Sequence, residues 1–277
     1  MKIKVTKASG RTEDLDTGKL LESLLRAGAD REQAGVIIDN ILGEIPRYTN
    51  TRKIYSLAMK YLRQINHATG LRYSLKRAIF RLGPSGYPFE KYVGELFRHH
   101  GYRTENGLVL EGRCVKHEVD VLASNEGELS FIECKYHNRA GNSTDVKVAM
   151  YIHARFQDLG PLFREKYPAK EIKGWLVTNT RCTSDALKYA ECTGLNILSW
   201  TYPGRTSLQK MIEDKKLYPV TIMAGVSSGL LTRLFERNII LLKTLAEMEA
   251  KEIGSLLSVP ENKATSLKKQ ADALCLC

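Results

Sequence analysis

Cysteine is scarce in this chain of 277 residues, and its pattern is uninformative. The six thiols (Cys114, Cys134, Cys182, Cys192, Cys275 and Cys277) form no CxxC pair and no zinc spacing. That excludes a disulfide scaffold and a zinc ribbon. No GxxxxGK[ST] run occurs, which excludes a P-loop motor. No apolar run approaches the ~20 residues that span a bilayer, and the opening MKIKVTKASG has no apolar signal core. The expectation is a cytoplasmic, reduced protein with no membrane partner, whose strand cysteines pack as small apolar groups. The terminal Cys-Leu-Cys is expected to fray. Acid is also in short supply: 42 Lys and Arg stand against 31 Asp and Glu, a net charge of +11. The excess is uneven. Residues 1–84 carry 16 basic against 8 acidic side chains, 85–212 carry 17 against 15, and 213–277 carry 9 against 8. A polyanion or a nucleotide would therefore be drawn to the N-terminal part.

What is present is concentrated in HEVDVLASNEGELSFIECKYH, from His117 to His137. Two apolar runs, VDVLA and SFIECKY, flank the turn-rich segment Ser124 to Glu128, the pattern of a β-hairpin. Side chains alternate along a strand, so Glu133 and Lys135 share a face, and Asp120 on the neighbouring strand brings a second carboxylate beside Glu133. Two close carboxylates repel unless a cation lies between them. Hard oxygen ligands with room for water suit Mg²⁺, and the adjacent ammonium suits a phosphate oxygen or an attacking water. The chemistry indicated is phosphodiester hydrolysis. Phe89, Val93, Leu96 and Phe97 upstream have helical spacing and stop at a glycine. A helix over 145–167, the strand KGWLVTN, a helix opened by the cap Thr-Ser-Asp, and the strand NILSW follow.

The segment from Phe89 to Trp200 resembles the Mrr-like branch of the PD-(D/E)XK restriction endonucleases. The likeness rests on FExxVxxLFxxxGY, the HEVDVLA and FIECKY strands, and the block GWLVTNTRCTSDALKYAECTGLNIL. It implies an α/β fold, a mixed sheet flanked by helices, with the active site at the middle strands. Carried over by position, Asp120 is the motif aspartate, Glu133 the second acid and Lys135 the lysine. Glu90 matches the first-helix glutamate. Asp120, Glu133 and the Cys134 carbonyl would hold the metal. Glu118 stands where a small residue is usual and is assigned to the rim.

Residues 2–82 resemble the ATP-cone, a regulatory nucleotide-binding module. The likeness is carried by VTKxxGxxExxxxxK, a Thr-rich helix entry at Thr49 to Ile54, and the closing YSLKRAIFRL. Ala8 stands where the family carries an arginine. Two short strands joined by a turn at Ser9-Gly10 are expected, then helices over 19–27, 31–42, 51–66 and 70–82. Val5, Lys7, Arg11, Lys19 and Thr51 are the candidate residues for ATP or dATP, with Thr51 at a helix start. Arg72, Lys76, Arg77 and Arg81 form a stripe at helical spacing, either a solvated face or a track for a DNA backbone. GPSGYP, at Gly83 to Pro88, marks the first boundary.

From about Leu217 the chain resembles a pair of divergent helix-hairpin-helix units, with Gly225 in the first hairpin and Ser258-Val259-Pro260 in the second. Asn238 stands where that family favours glycine. Such hairpins meet phosphates through backbone N–H groups; Arg233, Lys263, Lys268 and Lys269 are the candidate ionic contacts. The expected organisation is therefore an ATP-cone-like domain over 1–84, a nuclease domain over 85–212 and a small helical domain over 213–277. The resemblances imply a Mg²⁺-dependent DNA endonuclease regulated by ATP or dATP, with DNA, a nucleotide and further copies of the chain as partners. The other reading is a non-catalytic, nucleotide-responsive DNA-binding regulator on a nuclease scaffold; cleavage of structured or damaged DNA also stays open.

Overall fold

The computed structural model describes residues 3–7 and 10–275. Lys2, Ala8, the turn residue Ser9, Leu276 and Cys277 lie outside the described residues. The N-terminal segment is a three-stranded sheet with helices. β1 (Lys4–Thr6) pairs antiparallel with β2 (Thr12–Asp14) and parallel with β3 (Tyr48–Asn50). Between them run α1 (Thr17–Ala27) and α2 (Arg31–Glu44). α3 (Thr51–Ile65), α4 (His67–Tyr73) and α5 (Leu75–Ile79) follow. Two expectations need correcting here. Thr49 lies in β3, a strand too short to reveal a period, and α3 starts after it with Asn50 capping the Lys53 amide at 2.9 Å. The single helix expected over 70–82 is broken at Ser74, whose hydroxyl donates to the Leu71 carbonyl at 2.7 Å, a local bond that competes with the helical ladder.

The central sheet has five strands in the order β10-β8-β6-β5-β4. α6 (Tyr87–His99) leads into β4 (Arg103–Glu111), β5 (Lys116–Ser124) and β6 (Glu128–Lys135), an antiparallel meander. The β5–β6 turn is fixed by Asn125, whose side-chain oxygen accepts from the Gly127 and Glu128 amides. Two-residue β7 (Ser143–Thr144) precedes the long α7 (Val146–Lys166), capped by Asp145. β8 (Glu171–Thr178) then lies parallel to β6. β9 (Arg181–Cys182) pairs with β7, α8 (Ser184–Thr193) opens on the Thr183 cap, and β10 (Asn196–Leu198) adds parallel to β8. The mixed sheet between helices is a restriction-endonuclease-like α/β fold. α6 covers one face through Phe89, Val93 and Leu96. α7 covers part of the other through Phe156 and Leu159.

The C-terminal part is helical: α9 (Leu208–Asp214), a 3₁₀ turn at Val220–Ile222, α10 (Ser228–Glu236), α11 (Leu242–Ala246), α12 (Ala250–Leu257) and α13 (Glu261–Cys275). Gly225, Asn238 and Ser258 all take positive φ, at 68°, 55° and 51°. Asn238 thus occupies a left-handed turn without being glycine, which Asn tolerates better than most residues. One apolar core runs from α4 and α5 through α6 and the sheet into α10–α13. Tyr92, fully buried, donates its hydroxyl to the Leu217 carbonyl at 2.7 Å inside it. Among the described residues no helix is long and apolar enough to cross a membrane.

Candidate active site

β5 changes character at Asp120. Val119 packs with Phe156 and Leu159 of α7, whereas Val121 and Ala123 join the core under α6. Residues two apart on a regular strand share a face, so the strand twists through Asp120. Opposite it in the β4 register, Gly107 has φ +67°, a conformation that favours glycine. The twist turns the Asp120 carboxylate toward β6, where it accepts the Cys134 amide at 2.7 Å.

Glu133, one residue back on β6, is met by Arg155 of α7: guanidinium nitrogen and carboxylate oxygen are 2.6 Å apart. Both side chains are largely buried, at 15% and 16% exposure. Arg155 also donates to the Glu118 carbonyl and lies 5.6 Å from the centre of the Tyr151 ring. Glu90 comes from the first turn of α6. Asn106 ties the two sides together, donating to the Glu90 carbonyl at 3.0 Å and the Asp120 carbonyl at 3.3 Å.

Crowded negative charge dominates the electrostatics. Burial first, then Asp120, pushes the Glu133 carboxyl up to about 8, and Arg155 pulls against that rise. Burial, Asp120 and Glu118 push Glu90 up to about 7. Asp120 is also raised by burial, with the Cys134 amide and Arg155 opposing. Asp120 raises both Glu133 and Glu90, and Glu90 raises Glu133; three such crowded carboxyls are the kind of oxygen donor a hard divalent cation takes. Among the described residues no three His, Cys, Asp or Glu side chains stand at ion-holding spacing as they are placed, and the Glu133 carboxylate is turned to Arg155 instead. The donor types fit a cation. A cation at Glu133 would compete with Arg155 for its carboxylate.

Lys135 closes β6 with its side chain exposed, while its carbonyl accepts the Thr178 hydroxyl at 2.7 Å. Beyond it, Asn179, fully buried, brackets the His137 main chain. Its oxygen accepts the His137 amide at 2.8 Å, and its amide donates to the His137 carbonyl at 2.8 Å. Sequence reasoning missed Arg155, Asn106 and Asn179. Asn179 had a signal, a polar residue closing the buried-type run KGWLVTN. Arg155 had none, because the cationic partner of a strand acid can come from any helix.

The candidate nucleotide residues fall on a cleft of about 850 Å³ in the N-terminal segment. Val5, Lys7, Lys19 and Thr51 line it. Arg11 is exposed and does not line this cleft. Lys7 and Lys19 are each paired with acid, Glu13 at 2.7 Å and Asp16 at 3.0 Å. Tyr55 and Tyr73, stacked at 5.3 Å, form an aromatic wall. In the C-terminal part, Arg233 and Lys268 donate to the carbonyls of Leu257 and Ala246, and Lys263 donates to that of Gly225.

Residues 83–201 match the family model of restriction endonuclease catalytic domains, and residues 218–275 match the model of the AF1548-like C-terminal domain. An uncharacterized protein of Archaeoglobus fulgidus is 34% identical over 165 residues, covering 58% of this chain and 90% of that protein. The chain belongs to this AF1548-like family. The crystal structure of AF1548, a protein of unknown function, is 30% identical, with a TM-score of 0.57, and covers 68% of this chain and 97% of that one. The restriction endonuclease-like domain suggests a nuclease, with DNA as the substrate it implies. Residues 1–82 precede both matches, and the larger cleft is lined mostly by that segment together with Asn138 and Ala140 of the first match.

Proposed function

We propose that this AF1548-like protein is a Mg²⁺-dependent DNA endonuclease, switched by ATP or dATP bound to an ATP-cone over residues 1–84. The observation that carries the reading is the convergence of Asp120, Glu133 and Glu90 at the twisted middle strands, beside Lys135. Asp120 and Glu133, with the Cys134 carbonyl, would hold Mg²⁺. When bound, Mg²⁺ neutralises the carboxylates, polarises the scissile phosphate and acidifies water. The chain's own groups do the rest. The Asp120 carboxylate is oriented by the Cys134 amide. Arg155 keeps Glu133 ionisable against the pull of burial. Lys135 faces solvent, free to orient an attacking water or to stabilise the charge that builds on phosphorus. Glu90, raised to about 7, is suited to take and release a proton near neutrality.

Under this reading residues 85–212 form the nuclease domain, and 213–277 form a helix-hairpin-helix-like domain whose turns at Gly225 and Ser258 approach DNA phosphates. Lys263 and Lys269, which line one hollow beside Gly225, are its ionic contacts. A double-strand cut by one such site per chain calls for a homo-oligomer. The test is cleavage of supercoiled plasmid with Mg²⁺, with and without ATP or dATP, comparing the wild type with Asp120→Ala, Glu133→Gln and Lys135→Ala. Each substitution is expected to lower cleavage at least ~100-fold, since several kcal/mol of transition-state stabilisation is lost. Full cleavage by Glu133→Gln refutes the site. DNA binding with no cleavage in any divalent metal marks the chain as a regulator on a nuclease scaffold.

A further inference from the structure

A second, smaller cleft of about 300 Å³ adjoins the N-terminal one and shares Lys7, Thr51, Lys76 and Ala140 with it. Its other wall belongs to the nuclease part: Gly141, Asn142, Arg181 and Trp200. Lys76 reaches from α5 to within 5.6 Å of the Trp200 ring centre. It is open to solvent, yet the protein packed around its ammonium, and then the Arg181 charge, push it below its ordinary value. Among the described residues no acid pairs with Lys76 or Arg181 in an ion pair. Lys7 and Lys19 differ, each being held by its own carboxylate. Two facing cations without an acid are costly in themselves and gain from an anion placed between them. Thr51, the first residue of the 15-residue α3, adds the positive end of a helix to the same wall.

We infer that the terminal phosphates of a nucleoside triphosphate occupy this junction, held by Lys76, Arg181 and Lys7, while its base lies in the larger cleft against Tyr55 and Tyr73. The inference rests on the ATP-cone reading and adds which part of the chain senses the phosphate tail. The tail reaches the nuclease part where it matters. Residues 138–142 follow the Lys135 strand directly and run into Ser143, which pairs with Arg181 across β7 and β9. Tyr136, between Lys135 and that loop, donates its hydroxyl to the carbonyl of Phe80, a lining residue of the larger cleft. A triphosphate tail would extend to Arg181, which lines the smaller cleft and not the larger one that takes the base and a monophosphate.

The test is calorimetric titration of the full chain with ATP, AMP and inorganic tripolyphosphate, for the wild type, Arg181→Ala and Arg181→Lys. The wild type is expected to bind ATP more tightly than AMP. Arg181→Ala should weaken ATP and tripolyphosphate by at least ~10-fold, the ratio carried by one charge-assisted hydrogen bond. It should leave AMP within about twofold of the wild type, which also reports an intact fold. Arg181→Lys should recover part of the ATP affinity. Trp200 fluorescence should change on adding ATP, and the change should vanish in Trp200→Phe. Unaltered ATP affinity in Arg181→Ala overturns the phosphate site but leaves nucleotide binding standing. A wild type that binds neither ATP nor AMP overturns the ATP-cone reading, and this inference with it. Weakened DNA binding by Arg181→Ala, with ATP affinity unchanged, overturns it in favour of a DNA backbone contact.

Discussion

Glu133→Gln separates the acid's role in catalysis from its role in stability. The folded chain holds this carboxyl near 8, against an ordinary value of 4.5, chiefly because burial and Asp120 disfavour its charge. Between those two values the folded chain keeps a proton that the unfolded chain has released, so stability falls as pH rises. The loss is roughly 1 kcal/mol at pH 5, ~3 kcal/mol at pH 7 and nearly 5 kcal/mol above pH 8, where it levels off. The effect of Arg155 is already contained in these figures. A glutamine has no proton to release. In EDTA, Glu133→Gln should therefore be more stable than the wild type, with a gap that widens from pH 5 to pH 8. At ~3 kcal/mol the gain in Tm is roughly 5 °C for a chain of this size, lessened by the lost pairing with Arg155. The assay is thermal unfolding followed by circular dichroism at pH 5, 7 and 8 in EDTA, repeated with Mg²⁺. Mg²⁺ should raise the Tm of the wild type and not that of the mutant, which lacks the ionised ligand. A mutant no more stable than the wild type at pH 8, or a gap that does not change with pH, refutes the claim that burial and Asp120 together hold the Glu133 carboxyl far above its ordinary range.

Other substitutions probe the surroundings of the carboxylates. Arg155→Ala removes the group that lowers Glu133, so the acid limb of the pH–cleavage profile should move to higher pH; a profile that stays in place assigns Arg155 to packing alone. A Cβ on Gly94 would come within 2.6 Å of the Asn106 side-chain oxygen. Gly94→Ala should therefore push Asn106 off the Glu90 and Asp120 carbonyls, costing ~1–3 kcal/mol in urea unfolding and lowering cleavage with every carboxylate intact. Arg81 donates to the Thr221 and Val226 carbonyls at 2.8 and 3.0 Å. Arg81→Ala should lower stability by ~1–3 kcal/mol and leave the salt dependence of DNA binding unchanged. Lys269→Ala should make the slope of log affinity against log salt shallower by ~0.9 if that lysine meets a phosphate; no change in slope removes it from the DNA surface.

β5, β6 and β8 were legible because they are largely apolar runs of ordinary length, and because the Asn125 turn and the Thr183 and Asp145 caps are written in local sequence. That Asp120 lies beside Glu133 could be read from the hairpin pattern, but its bond to the Cys134 amide lies beyond the last register pair, Val121 with Ile132, and depends on the twist of β5. What the sequence hides depends on distant contacts. β3, β7 and β9 have two or three residues each and carry no period. Arg155 stands 22 positions beyond Glu133 on the exposed-looking side of a helix, where nothing local marks it as the partner of a buried acid. The stripe Arg72, Lys76, Arg77 and Arg81 was legible in part. Lys76 and Arg77 are exposed as a solvated face requires, though they lie over Trp200 and Tyr55, whereas Arg81 turns to the Thr221 and Val226 carbonyls.

That stripe bears on how a ligand in the N-terminal cleft acts at a distance. A tethered module would pass on little, because a flexible link transmits no strain. Here the last two helices of the N-terminal segment are built into the nuclease core: Leu71, Leu75, Ile79 and Leu82 are buried with Phe89 and Tyr92 of α6 and with Val121 and Ile132 of the sheet. Close-packed interiors resist local rearrangement and transmit displacement. The Thr221 hydroxyl donates to the Ala78 carbonyl at 2.7 Å, so the same helix is also fastened to the C-terminal part. A ligand that moves Tyr73 or Phe80, both on the cleft wall, must therefore shift α5 against Tyr136, one residue beyond Lys135. Tyr136→Phe isolates that link. It removes the hydroxyl bond and keeps the ring against Phe89, 5.6 Å away centre to centre. It is expected to leave nucleotide affinity within about twofold of the wild type while reducing the effect of ATP on cleavage. An ATP response equal to that of the wild type would route the coupling through residues 138–142 instead.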